Sequence, residues 1–123
     1  MKTIIALCVL VLALGSFFTW RATRMPNQYG AFTGAPAAEV ADLIARPTDF
    51  LHKTVSISGE VREQCTTMGC YFFFLSGNER LRVDLVQIAM DAPRKNGHIA
   101  RVEGQLVPFD HSFQVLASAV EFR

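Results

Sequence analysis

The sequence predicts a mainly β domain, five strands closing into a small Greek-key barrel with one short helix, carried behind a single N-terminal transmembrane helix. Three observations predict it. Residues after Lys53 fall into five runs in which apolar and polar side chains alternate with the period of a strand. The first run carries Gly59 at its middle, where a small barrel needs a bend. An uncharged segment from Thr3 to Trp20 precedes everything else.

That first segment sets the compartment. Eighteen helical residues reach about 27 Å, close to the ~30 Å of a hydrocarbon core. Lys2 and the small residues of Ala13-Leu14-Gly15 also fit a cleavable signal peptide. Apolarity runs past that site through Phe17, Phe18 and Trp20 to Arg21 and Arg24, which is the aromatic and basic ending of a retained anchor. The expectation is residues 1–24 as an anchor in a bacterial inner membrane, with the remainder in the periplasm. Cys8 lies inside the apolar run without the small residues of a lipoprotein signal, and reads as a packed or lipid-facing thiol.

Removing Lys2, Arg21 and Arg24 from the 12 basic residues leaves 9 against 11 acidic ones. A chain that grips a phosphate backbone needs a basic stripe, and none is evident, so nucleic acid is not expected as a partner. What remains after the anchor is enough for one domain, 37–123, and too little for two. Residues 25–36 (MPNQYGAFTGAP) hold two prolines and two glycines with no apolar period, and read as a linker. Val40, Leu43 and Ile44 then give a short amphipathic helix over Ala37 to Arg46, stopped by Pro47 and lying against the end or edge of the sheet.

Each strand has its own pattern. From Lys53 to Glu63, Val55, Ile57, Gly59 and Val61 share one face. Tyr71 to Leu75 follows the cysteine-bearing loop and ends at Ser76-Gly77-Asn78. Arg80 to Gln87 turns Leu81, Val83 and Leu85 inward and Arg80, Arg82 and Asp84 outward. A longer excursion leads to His98–Val107, with Ala100, Val102, Gly104 and Leu106 on one face. The fifth, Phe113–Phe122, sets Val115, Ala117 and Ala119 opposite Leu116, Val120 and Phe122. Five strands with a bent first strand and a long third connection fit the OB-fold, with a meander or half-sandwich as the competing arrangement.

The run Ser58-Gly59-Glu60-Val61 through Cys65-Thr66-Thr67-Met68-Gly69-Cys70-Tyr71, with Gly97, Val102 and Gly104 later, resembles an uncharacterised family of small exported bacterial domains. That family carries a G-x-V…C-x-x-x-G-C-aromatic loop and a later G-x-x-x-x-V-x-G strand. The resemblance covers about residues 53–122 and implies an exported barrel without lending an activity; Tyr71 stands where the family often has Trp. In architecture alone, an anchor before an OB barrel, the chain is also similar to the membrane-anchored haem chaperone of cytochrome c maturation. The histidine through which that chaperone attaches haem, in a tail after the last strand, has no counterpart in the sequence to Arg123.

Cys65 and Cys70 are the sharpest chemical signal. An exported loop this short favours a disulfide staple between them. Two alternatives stay open. Cys65, Met68 and Cys70 are soft sulfur ligands of the kind that select Cu(I), with His111 as the histidine best placed to join them. The pair also has the composition of a thiol–disulfide couple, although no Lys, Arg or His beside it lowers a thiol pKa. His52 and His98 read as surface residues. Phe72 and Phe74 alternate with Tyr71 and Phe73, whose outward rings offer a partner surface.

No nucleophile elbow, paired-acid frame or phosphate-cradling loop is present, so an enzyme is not expected, and neither is a resident cofactor unless copper binds the sulfur loop. The favoured reading is an interaction module anchored through residues 3–20, an accessory subunit that docks a protein in a membrane complex. The competing one is a copper- or cofactor-handling assembly protein.

Overall fold

A computed structural model describes residues 2–24, 27–65, 71–88 and 95–123. The elements are α1 (Lys2–Arg24), β1 (Gln28–Gly30), α2 (Val40–Ala45), α3 (Pro47–Phe50), β2 (Thr54–Glu60), β3 (Tyr71–Ser76), β4 (Glu79–Asp84), β5 (Ile99–Phe109) and β6 (Ser112–Phe122). The protein is mainly β, with one six-stranded sheet.

Alternation places one row of each strand in a shared core. Val55 and Ile57 of β2, Phe72 and Phe74 of β3, Leu81 and Val83 of β4, and Ala100, Val102 and Leu106 of β5 are all buried. Each large side chain removed from water contributes about 1.5–3 kcal/mol, which makes this row the main stabilising term. The sheet order is β2-β5-β6-β4-β3, with β4 and β6 parallel and the other pairs on this path antiparallel. It closes on itself after β2, where Arg62 bridges Phe73 through paired backbone bonds of 3.0 and 2.8 Å. The result is OB-fold-like, with no free edge between first and second barrel strands.

Gly59 has a steric reason. A Cβ there would lie 2.8 Å from Cδ1 of Phe74, so only glycine lets that buried ring sit against β2. Helix α2 covers one end of the barrel, packing on β2, β3 and β4 with Leu43 buried. It is shorter than the expected Ala37–Arg46: Ala37 instead bridges Ser56, and Pro47 opens a second short helix, α3, which the sequence reading left out.

Two further expectations are corrected. In β6 the phase of alternation reverses at a bulge: Ala119 opposes Glu103 while Ala117 opposes Gly104, leaving Ser118 as the extra residue. Val115 and Ala117 before it and Val120 and Phe122 after it therefore all reach the core, whereas a strict period separated them. The stretch read as a linker is docked on the barrel. Gln28, Tyr29 and Gly30 pair with Glu121, Val120 and Ala119, and Pro36 and Ala38 bond backbone to backbone with Ser56 at 2.8 and 2.9 Å.

At the N-terminus, the backbone of α1 is helical for 23 residues, and every described side chain from 3 to 14 is exposed. Among the described residues, no helix is long and apolar enough to cross a membrane.

Candidate functional site

The candidate site is the outer face of the β3–β4 hairpin together with the β5–β6 turn. Its register follows from the two-residue connection Gly77-Asn78, which pairs Ser76 with Glu79 and so sets Phe73 opposite Arg82. Outward residues of β3 are then Tyr71 and Phe73, and those of β4 are Arg80 and Arg82. Both rings are half-buried and meet edge to face at 5.8 Å.

The arginines lie against these rings. The Arg82 guanidinium carbon is 4.0 Å from the Tyr71 ring centroid and 4.5 Å from that of Phe109, while Arg80 is 4.5 Å from Phe73. The negative ring faces hold the cations without neutralising them. Arg80 also pairs with Glu63. Arg82 is different: its Nε donates to Oε1 of Gln114 at 3.0 Å, and among the described residues it makes no ion pair. Phe73, Arg80, Arg82, Phe109, Asp110, Ser112 and Phe113 together line an open concavity of about 340 Å³.

The turn at its rim is strained. Asp110 and His111 both have positive φ, 40° and 63°, the signature of a two-residue hairpin turn usually built from Asn and Gly. Such backbone costs on the order of 1 kcal/mol per residue when the side chain is not glycine.

The predicted site residues are distributed as follows. Tyr71 and Phe73 lie on the outer face of β3, both half-buried. Cys65 is half-buried at the base of its loop, its backbone N–H donating to the Tyr71 carbonyl at 2.9 Å. Met68 and Cys70 lie outside the described residues. His111 is exposed on the turn, and among the described residues no three metal-binding side chains gather. Tyr71 and Phe109 both flank Arg82, which puts the base of the cysteine loop and the His111 turn beside one arginine. Gln64, buried next to Cys65, braces that base: its N–H reaches Oδ1 of Asn96 at 3.0 Å and its Oε1 accepts from the Lys95 N–H at 2.6 Å. Arg80, Arg82, Phe109 and Gln114 were not singled out from sequence, although the Gly77-Asn78 spacing contains the pairing that assembles the first two.

A second polar cluster sits on the outer side of β5. Glu103, 1% exposed, accepts from the backbone N–H of Thr33 at 2.9 Å, from the Thr33 hydroxyl, and from the N–H of Ala35 at 3.1 Å. Gly34 turns between them at φ 83°. The Thr33 hydroxyl is the largest influence holding the Glu103 carboxyl below its ordinary range; backbone N–H groups of residues 33–35 add to it, and burial works the other way. Beside it, Phe32 lies 4.0 Å over the Arg101 guanidinium, whose Nη2 is 3.6 Å from Glu121.

No family model and no curated protein matches the sequence. Similarity to solved structures is confined to shape. The hypothetical protein ygiW from E. coli superposes with a TM-score of 0.55 at 11% identity, over 76% of this chain and 99% of that one. A protein assigned as an aspartyl-tRNA synthetase of Leishmania major Friedlin gives 0.52 at 14% identity, over 75% of this chain. The chain spans only 21% of that synthetase's length. These likenesses support the OB-like barrel and nothing about activity.

Proposed function

We propose that this chain is a membrane-anchored interaction module: a barrel held at the periplasmic surface of a bacterial inner membrane by residues 3–20, docking a protein partner as an accessory subunit of a membrane complex. One observation carries the reading. The outer face of β3 and β4 presents Tyr71 and Phe73 interleaved with Arg80 and Arg82 around a concavity, rather than a solvated strand surface. Tyr and Arg are the residues that anchor protein interfaces. In barrels of this topology the same hairpin face and adjoining loops commonly take ligands. The exposed apolar side chains of α1 give the helix a reason to seek lipid.

The test places a photo-cross-linking residue at Phe73, and in a parallel variant at Thr54 on β2, in the full chain in its native membranes. A discrete protein adduct at 73 and none at 54, on protein that stays in the membrane after carbonate washing, is the expected result. Absence of an adduct at 73, or a soluble product beginning at Ser16, overturns the reading.

A further inference from the structure

We infer that the concavity on the β3–β4 face is a carboxylate receptor, and that Arg82 reads an acidic side chain in an extended, aromatic-rich segment of the partner. The inference rests on the docking role proposed above and names what that face recognises.

The charges around the concavity single out Arg82. Arg80 is matched by Glu63. Asp84 turns its carboxylate back to the N–H of Val86 at 2.8 Å. Asp110 lies on the rim without an ion pair to either arginine among the described residues. Arg82 alone is a half-buried cation with ring faces on its flanks and a neutral amide on Nε. Its terminal Nη atoms have no partner among the described residues.

A guanidinium so held has lost most of its rotamer freedom before any ligand arrives. Two aromatic faces and the Gln114 bond fix its plane, and the strand beneath it is anchored by the buried Val83. An oxygen pair meeting the free edge then gains charge-assisted bonds at little ordering cost. Arg offers that fork and Lys does not. The apolar walls of Phe73, Phe109 and Phe113 suit an aromatic or aliphatic neighbour on the same segment. A phosphate backbone is a worse match, because tracking successive phosphates needs a line of unpaired cations and this face has one among the described residues.

The experiment uses the full chain in zwitterionic micelles, with empty micelles as blank. The probes are a fluorescein-labelled, blocked hexapeptide alternating phenylalanine and glutamate, the same peptide with glutamine, and a labelled octathymidylate. The glutamate peptide should bind at least about tenfold tighter than the glutamine peptide, with the advantage shrinking as salt rises. Its addition should shift the Nε–Hε resonance of Arg82 in the wild-type spectrum, a readout that needs no variant to fold. R82K should remove the advantage, and R46K, at an arginine paired with Asp42 and outside the concavity, should leave it. Equal binding of the two peptides, an unmoved Arg82 resonance, tighter binding of octathymidylate, or no binding of any probe overturns the inference. If cross-linking at Phe73 persists while the peptides bind alike, the docking face stands and only the carboxylate reading falls.

Discussion

Arg82 and Arg101 make the same contact and live in different circumstances. Each sets its guanidinium carbon 4.0 Å from an aromatic centroid. Over Arg101 the ring is Phe32, contributed by the chain's own docked segment, with Glu121 within 3.6 Å and Glu103 buried nearby under backbone N–H groups. Around Arg82 the rings come from the barrel itself and the guanidinium edge faces an open concavity. The chain covers one polar cluster with its own amides and leaves the other uncovered. On the covered side the Glu103 carboxylate is satisfied by the chain's own donors, although Nε of Arg101 is buried without a hydrogen-bond partner, while the Arg82 edge is left open.

The largest expected effect breaks the covered side. Glu103→Ala removes the acceptor for three donors and should lower folding stability by about 3 kcal/mol, with β1 losing protection first in hydrogen exchange. A urea midpoint indistinguishable from wild type would mean that the cover is not coupled to the barrel.

Acid sharpens the same point. The Glu103 carboxyl titrates below its ordinary 4.5 in the folded protein, so its contribution is complete above that value and disappears as pH falls through the lower, folded one. Wild-type stability should therefore fall more steeply than that of Glu103→Gln below about pH 4. Parallel slopes in acid denaturation would contradict the assignment.

On the open side the same experiment should do little. Arg82→Met keeps an apolar stem between Tyr71 and Phe109, and should cost about 1 kcal/mol in stability. Cross-linking from Phe73 should nevertheless fall severalfold. A loss of stability as large as that of Glu103→Ala would make Arg82 a structural residue and erase the contrast.

The smallest effect lies at the rim. His111→Gly relieves a positive φ in the β5–β6 turn and should raise stability by about 0.5–1 kcal/mol, measured as a higher urea midpoint. A lower midpoint would mean that the imidazole itself supports the turn.

Much of the barrel was legible because period two is a local property. Val55, Ile57, Phe72, Phe74, Leu81 and Val83 all point where alternation sends them. Alternation failed at Ser118, since a bulge inserts one residue without changing the apolar character of either side; Val115-x-Ala117 followed by Val120-x-Phe122 is its only trace. The docked segment was hidden for another reason. Gly30 and Gly34 supply turns at positive φ, and a turn packed on a barrel has the composition of a flexible linker. Glu103 was not singled out, because its donors lie 68 to 70 residues away and leave no mark near it. At the candidate site, Tyr71 and Phe73 were readable from alternation, whereas the arginine sandwich needed Phe109 and Gln114 from a different hairpin.

The docked segment also fixes a leash. Only three residues separate Arg24, the end of α1, from Gln28, the first residue paired to β6. Four extended steps span no more than about 14 Å. Were α1 to sit in a bilayer, as proposed, this tether would hold the barrel in a thin layer against the lipid headgroups. A partner would then have to pass through that layer, and each encounter would be confined nearly to two dimensions.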